Sequence, residues 1–167
     1  DTKRLISEKT TSKYQTEFRQ IGMRINERLD WNDWVDVYKK LVYWEIELGA
    51  SGEAAMDEVF KMQKNDANNS FARYIKSNYA NWFSNDDSDR PMLSKDIFKR
   101  KVFPKLNPDQ PVVVIVIDNL RYDQWKVMEV LLQEYYTVEE ELYCSILPTA
   151  TQYARNAMFA GLMPSEI

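Results

Sequence analysis

Hydrophobic residues in the first half of the chain recur every three or four positions, which is the spacing of one face of an α-helix. The first such stripe consists of Leu5, Tyr14, Phe18, Ile21, Ile25 and Leu29. The residues Asp30–Asn32 interrupt it, and Asp or Asn at this point suits the cap of a second helix. The pattern therefore predicts two helices that are separated by a short turn.

The same spacing continues through a second and a third helix. The second helix carries apolar positions up to Ile46 and is predicted to end at Gly49, because glycine often caps helix C-termini. Ser51 is predicted to cap a third helix, whose apolar stripe runs on to Trp82. Amphipathic helices with short connections pack into antiparallel bundles, so a helical bundle domain is predicted over residues 1–84.

Residues 85–110 contain two clusters of proline and polar residues, which are typical of loops and linkers. Between these clusters, Ser94 is predicted to cap a short helix over Lys95–Val102, and Pro104 is predicted to stop it. This part of the chain is therefore predicted to be a linker with one short helix.

The period changes again beyond the linker. The run Val112–Ile117 consists only of valine and isoleucine, which predicts a central strand that is buried on both faces. The segments after it are predicted to be a helix, a strand, a polar turn and a helix ended by glycine: Tyr122–Glu134, Tyr136–Tyr143, Leu147–Thr151 and Gln152–Ala160 with Gly161. This order is the start of an α/β domain with a parallel sheet. Two strands bury too little surface to stand alone, so residues 111–167 are predicted to be an incomplete, N-terminal part of such a domain.

Composition narrows the function classes. Hydrophobic residues make up 44% and charged residues 29% of the chain, as in folded globular proteins. A net charge of −4 without a dense basic run argues against purely electrostatic binding to nucleic acid or to an anionic membrane. The single cysteine, Cys144, excludes an intrachain disulfide, and no apolar stretch is long enough to span a bilayer. These features predict a cytoplasmic protein without membrane insertion.

The chain has no histidine, so a complete zinc enzyme made from it alone would be unusual. Asp118 directly follows the predicted first strand, where ligands of α/β sheets bind, and it is a candidate metal ligand. The alternative is that Asp118 caps the following helix or fixes its turn. Arg121 and Asp123 are better explained by pairing with each other or with the backbone.

Hydroxyl groups lie where the predicted second strand gives way to a helix. Thr149 and Thr151 stand at this helix N-terminus, which suits phosphate, although a threonine here can equally serve as a helix cap. Arg155 lies one turn later on the same face and could bind two oxygens of a phosphoryl group, while Asn156 is a weaker candidate donor. Because a threonine hydroxyl needs activation, a divalent metal held by Asp118 would complete a metal-assisted phosphate site.

Two stretches of this sequence resemble motifs of the alkaline phosphatase superfamily. Residues Val112–Asp123 resemble its first metal-ligand motif, and Leu147–Asn156 resembles its nucleophile motif, together with Ala160-Gly161 and Pro164-Ser165. The position of Ala160-Gly161 selects Thr151 over Thr149 as the nucleophile. The amino-acid sequence as a whole is most similar to the PglZ branch of this superfamily. With the helices in front, the chain resembles the middle of a PorX-type response regulator, in which a receiver domain, a helical bundle and a PglZ domain follow one another.

The resemblance implies a phosphodiesterase or phosphatase that forms a phosphothreonine intermediate on a nucleotide-type diester. Thr151 would be both nucleophile and metal ligand, Asp118 would bind the same metal, and Arg155 would bind the transferred group. Zinc, as two ions in the intact domain, is the implied cofactor. The remaining metal ligands are implied to come later in the fold, so the 167-residue piece alone is expected to be inactive and to bind metal weakly.

The resemblance also implies a receiver domain upstream, phosphorylated by a sensor histidine kinase. An alternative function is therefore a non-catalytic signalling connector or dimerisation module. It would form a homodimer or bind a type IX secretion-machinery or transcription-factor partner. Aromatic residues on several helix faces favour this alternative, although an ordinary bundle core would also explain them. They are Trp31, Trp34, Tyr43, Trp44 and Trp82.

Overall fold

The computed structural model describes residues 2–51, 54–83 and 90–166. Its α-helices are α1 (Thr2–Arg24), α2 (Trp31–Ser51), α3 (Ala54–Asn78), α4 (Tyr122–Leu132) and α5 (Thr151–Ala160). Short 3-10 or π-helical turns occupy Tyr79–Phe83, Ser94–Asp96, Phe98–Val102, Phe103–Lys105 and Pro164–Glu166. None of the described helices combines the length and the apolar composition that a bilayer span needs.

The chain forms two compact units. The bundle unit comprises Asp1–Ser88 and Tyr122–Leu131, and the site unit comprises Asp89–Arg121 and Leu132–Ile167. The unit boundaries assign α4 to the bundle unit although it follows the linker in sequence. Each unit has its own packing, which is described separately below.

The core of the bundle unit is built from the apolar stripes of α1, α2 and α3, which pack on one another. Tyr14 and Ile21 of α1, Val37 and Leu48 of α2, and Ala67 of α3 are almost completely buried. Removing such side chains from water is the main favourable contribution to folding. The three predicted helices are therefore confirmed, and the predicted apolar residues of α1 pack in the core from Tyr14 onwards, whereas the side chain of Leu5 lies outside the described part of the structure.

A polar network crosses this core. The hydroxyl of Tyr14 donates to Oε1 of Gln63 at 3.0 Å, and Nε2 of Gln63 donates to the carbonyl of Phe18 at 2.8 Å. Burial raises the pKa of Tyr14 to about 12, so the phenol stays neutral and remains a donor. Because a buried polar group without a partner is costly, the network fixes how α1 and α3 face each other.

The ends of α2 differ in how well they were predicted. At its start, the backbone N–H of Asp33 donates to Asp30 Oδ1 at 2.9 Å, and the N–H of Asp30 donates to Asp33 Oδ2 at 3.1 Å. Asp30 thus caps α2 as predicted. The predicted end at Gly49 is wrong, because α2 continues through it to Ser51. Burial of Leu48 offsets the cost of about 1 kcal/mol for glycine inside a helix. Ser51 is consequently the last residue of α2, and the predicted cap of the third helix falls on a side chain outside the described part of the structure.

The aromatic residues that suggested a docking surface lie mainly in the core. Trp34, Trp44 and Trp82 are each at least nine-tenths buried. Trp31 is half-buried and makes an edge-on contact with Trp82, with ring centroids 6.5 Å apart. Tyr43 remains half exposed. The ordinary core explanation therefore holds for the three buried tryptophans.

The helical part of the linker extends from Ser94 to Lys105 and is therefore longer than the predicted helix Lys95–Val102. It consists of short turns instead of one regular helix. A 3-10 turn at Ser94–Asp96 leads into a π-helical turn at Phe98–Val102 and a final 3-10 turn at Phe103–Lys105. Pro104 does not stop the helical course, because it stands in the first turn of a new segment, where no N–H is needed. Ser94 is not a cap either: its Oγ accepts a hydrogen bond from the N–H of Ile146 at 3.1 Å.

The two predicted strands are not formed within the described residues. Val112–Ile117 and Tyr136–Tyr143 lie outside helices and strands. The side chains of the first run are exposed, from 39% at Val112 to 80% at Val113, instead of being buried on both faces. A strand needs neighbours on its hydrogen-bonding edges, and the described residues supply only isolated bridges. The prediction of buried strands is therefore wrong for this structure.

Both predicted helices of the α/β part are present, but α4 packs in an unusual way. Its apolar residues Val127, Val130 and Leu131 are about two-thirds exposed, whereas Glu129 is buried and paired with Lys126. An amphipathic helix normally buries its apolar face. The exposed face of α4 is therefore an apolar surface that no described residue of the bundle unit covers.

Candidate functional site

The first candidate residue, Asp118, directly follows the apolar run in a tight turn with Asn119. Asn119 has φ of 59°, in the left-handed region that few residues other than glycine occupy. Asparagine tolerates this region better than most side chains, which explains why the chain can turn here. The carboxylate of Asp118 is 45% exposed and therefore open to ligands.

The second candidate, Thr151, is the first residue of α5. Ala150 is the N-cap, and the N–H groups of Tyr153 and Ala154 donate to its carbonyl at 2.9 and 3.0 Å. No side-chain hydrogen bond caps this helix. The hydroxyl of Thr151 is thus not used for capping, and neither is that of Thr149. The alternative explanation of these two threonines as helix caps is therefore wrong.

Three predicted residues meet at one exposed position of the site unit. Thr151 Oγ1 donates to Asp118 Oδ1 at 3.4 Å, although the two residues are 33 positions apart. Nη1 of Arg155 lies 3.9 Å from the other carboxylate oxygen, Asp118 Oδ2, and its side chain is half exposed. The arrangement brings a carboxylate, a hydroxyl and a guanidinium together at an exposed position with room for a small anionic ligand.

The oxygen pair suits part of a metal site. Two oxygen ligands on a tetrahedral zinc ion, each at about 2.0 Å, lie about 3.3 Å apart, close to the observed distance of 3.4 Å. A carboxylate and a hydroxyl are also oxygen donors that hard divalent cations accept. Within the described residues, however, no group of three or more His, Cys, Asp or Glu side chains surrounds a common point. Asp118 and Thr151 therefore fit as two members of a larger ligand set.

Comparison with protein families divides the chain at the linker. Residues 4–83 match the model of the PorX response regulator linker domain, and residues 97–167 match that of the BREX system PglZ alkaline phosphatase-like domain. We call residues 4–83 the PorX-type linker and residues 97–167 the PglZ-type segment, after the families that they are similar to. Together, the two matches support a response-regulator-linked, phosphatase-like family. No curated protein matches the chain.

Asp118, Thr151 and Arg155 all lie within the PglZ-type segment. The helical content of the chain and the match at its C-terminal end agree with a bundle followed by the N-terminal part of an alkaline phosphatase-like domain. Asp123, in contrast, lies in the bundle unit, where burial and then the charge of Asp123 raise the pKa of Tyr38.

One neighbour of the site was not predicted. Burial, followed by the negative charge of Asp118, raises the pKa of Tyr143 in the PglZ-type segment, so this phenol stays protonated. Tyr143 lies at the end of the segment that precedes the nucleophile's turn. Its place in the sequence carries no sign of proximity to Asp118, because the two residues are brought together only by the fold.

A nearly buried ion pair lies in the same unit as this site, at a turn that contacts α5. Both guanidinium nitrogens of Arg90 contact the carboxylate of Asp96, at 2.5 and 3.1 Å, and the two side chains are only 9% and 10% exposed. Asp96 Oδ2 also accepts a hydrogen bond from the N–H of Leu93 at 2.9 Å. The Asp96 carboxylate therefore ties the end of the turn Ser94–Asp96 to the residues that precede it, Arg90 and Leu93.

We expect this ion pair to make the protein sensitive to acid below about pH 4. Burial opposes ionisation of Asp96, but the hydrogen bonds from Arg90 and Leu93 outweigh it, so its pKa lies below the ordinary 3.8. The resulting stability is fully present above pH 3.8 and is lost as the pH falls through the depressed pKa.

Thermal unfolding measured from pH 7 to pH 3 tests this assignment. The melting temperature should therefore fall less steeply with pH in Asp96→Asn than in the wild type. Asp33→Asn, which alters a more exposed pair, should keep most of the slope. Equal slopes in the wild type and Asp96→Asn would contradict this assignment.

Proposed function

We propose that the protein hydrolyses phosphoric esters, with Thr151 as the nucleophile. The observation that carries the proposal is the 3.4 Å approach of the Thr151 hydroxyl to the Asp118 carboxylate at the start of α5. The similarity of residues 97–167 to an alkaline phosphatase-like domain supports the same reaction class. Phosphodiesters are the proposed substrates, in line with the resemblance of the two motifs.

Thr151 is suited to attack because its hydroxyl is half-buried at the start of α5 and is oriented by the contact with Asp118. The hydroxyl donates its proton to Asp118, which directs an oxygen lone pair away from the carboxylate. In the proposed reaction the Thr151 oxygen forms a bond to phosphorus, and the bond from phosphorus to the leaving oxygen breaks. The proton of the Thr151 hydroxyl passes to the Asp118 carboxylate and from there to solvent, while the leaving oxygen takes up a proton from water. Water then attacks the phosphothreonine, which releases the phosphate monoester and restores the hydroxyl.

Arg155 is suited to bind the transferred group. It follows Thr151 by one helical turn and extends to the same carboxylate, so its guanidinium borders the point of attack. A guanidinium can donate two parallel hydrogen bonds to phosphoryl oxygens. The N-terminus of α5 adds the positive end of a helix dipole beneath the same group. These contributions stabilise the negative charge that a phosphoryl group carries throughout the reaction.

Asp118 and Thr151 would together hold a divalent cation, for which zinc is the proposed identity. Such an ion supplies Lewis acidity and lowers the pKa of a bound hydroxyl. The described residues provide two of its ligands, and these two also orient each other in its absence. The proposed role of Asp118 is therefore to fix the Thr151 oxygen and to contribute negative charge to the cation site.

The PorX-type linker is proposed to connect this site to an upstream receiver. The match to a response regulator linker domain supports a signalling role for the bundle unit. The side chains of Met23, Tyr43 and Met62 are more than half exposed on this unit and offer apolar surface to a partner. The connector function is thus compatible with catalysis in the same protein.

The proposed intermediate gives a direct test. The full-length protein, incubated with a ³²P-labelled phosphodiester and quenched in acid, should carry label on Thr151, because phosphothreonine is stable in acid. Peptide mapping by mass spectrometry locates the modified residue and distinguishes it from Thr149, which is the matched control. Label on Thr149, or turnover that leaves no labelled peptide under trapping conditions, would contradict the assignment.

A further inference from the structure

The segment that follows the bundle lies alongside the segment that leads to Thr151. Leu93 and Cys144 form an isolated parallel bridge, and the N–H of Cys144 donates to the carbonyl of Met92 at 2.9 Å. One step further, the N–H of Ile146 donates to Ser94 Oγ at 3.1 Å. Leu93, Ser94 and Ile146 are completely buried. The contact between residues 92–94 and 144–146 is therefore part of the packed interior of the site unit.

The nucleophile's helix is packed on the same turn. α5 contacts Ser94–Asp96, and Ala157 is its one residue with a fully buried side chain among those described. Nearer the C-terminal end of α5, the rings of Phe98 and Phe159 lie with their centroids 5.0 Å apart. Residues 94–98 thus support α5, with the contacts at Ala157 and Phe159 in its C-terminal half.

The supporting turn is itself fixed by the Arg90–Asp96 pair. A guanidinium that binds both oxygens of a carboxylate allows little rotation of either group. The same carboxylate holds the N–H of Leu93, and Arg90 additionally donates to the carbonyl of Pro91 at 3.1 Å. A buried charged pair is weak evidence for net stability, but it specifies geometry strongly when its hydrogen bonds are complete.

We infer that the Arg90–Asp96 pair, acting through Ser94, is a positioning clamp that sets the distance between the Thr151 hydroxyl and Asp118. α5 carries both Thr151 and Arg155, whereas Asp118 belongs to the turn after the apolar run. A shift of α5 would therefore move two site residues relative to the third. The inference rests on the proposed function, since it concerns the efficiency of the same site. A displacement of about 1 Å in such a site reduces rates by about 100-fold.

If the Arg90–Asp96 pair is a positioning clamp, its removal should lower kcat without a comparable change in KM. In the full-length protein, Arg90→Met should lower kcat for a model phosphodiester by about 10- to 100-fold, with KM within about twofold of the wild type. Arg90→Lys should give an intermediate kcat, because lysine keeps the charge but not the two-pronged contact. Assays are made at a temperature at which circular dichroism shows each variant to be folded. If Arg90→Met does not fold, Ser94→Ala removes only the acceptor for Ile146 and should lower kcat in the same direction.

A matched control separates positioning from general stability. Arg24→Met removes a guanidinium–carboxylate contact of 2.7 Å to Asp33 in the bundle unit and should lower stability while leaving kcat unchanged. Unchanged kcat in both Arg90→Met and Ser94→Ala, or an equal loss in Arg24→Met, would overturn the clamp. Failure of the clamp would leave turnover dependent on Thr151, whereas failure of the proposed function would leave turnover intact in Thr151→Val. The two failures are therefore distinguishable.

Discussion

Thr151→Val in the full-length protein is expected to lower kcat for phosphodiester hydrolysis by about 10³-fold or more, because removal of a nucleophile leaves only binding and electrostatic contributions. Valine has nearly the shape of threonine and is likewise β-branched, so the start of α5 should be preserved. Since no hydroxyl caps this helix, the substitution removes chemistry without removing a cap. The measurement is steady-state hydrolysis, with circular dichroism as a check of folding.

Two further variants define the result for Thr151. Thr149→Val makes the same chemical change two residues earlier, outside α5, and should retain turnover. Thr151→Ser keeps a hydroxyl at the same position and should retain a measurable part of it. Turnover of Thr151→Val at the wild-type rate would remove the basis for the proposed nucleophile. Equal losses in both valine variants would point to a structural effect of the loop.

The second large effect is expected from Asp118→Asn. Asparagine keeps the size of the side chain and can still accept from Thr151, but it removes the negative charge that a divalent cation requires. In the intact protein we expect zinc affinity to fall by at least about tenfold and kcat by about 100-fold or more. Isothermal titration with zinc and steady-state assays measure the two effects separately.

The control for Asp118 is another exposed carboxylate of the site unit. Asp109 precedes the apolar run, and its backbone N–H bonds to Asn107 Oδ1 at 3.0 Å. Asp109→Asn therefore changes the net charge equally and should alter neither zinc affinity nor kcat. Wild-type zinc affinity in Asp118→Asn would show that the ion binds elsewhere.

Helices were predictable because their signals are local. The apolar period fixed α1, α2 and α3, and Gly161, with φ of 68°, ends α5 where the sequence predicted. The pairing of Asp118 and Thr151 was anticipated from the rule that strand ends share one edge of a sheet. The pair is present, yet the strands are absent. In this structure Thr151 is positioned by α5, which contacts the turn Ser94–Asp96.

The remaining features depend on contacts that no local pattern encodes. Whether Val112–Ile117 forms a strand is decided by neighbouring strands, not by its own residues. Gly49 lies inside α2 next to the buried Leu48, and the burial of Leu48 is a property of the packed bundle. The Arg90–Asp96 pair and the hydrogen bond from Ile146 to Ser94 join residues whose types are common on surfaces. Only the fold shows that they are enclosed.

The exposed run Val112–Ile117 has a consequence for how the protein behaves at high concentration. It joins six β-branched residues without a charge, a composition that promotes intermolecular β-pairing and fibril-like aggregation when the backbone edges are open. Asp109 and Asp118 flank it, and charges in such places act as gatekeepers against this association. The carboxylate that faces Thr151 thus also contributes to colloidal stability, and its neutralisation would favour precipitation as well as inactivity.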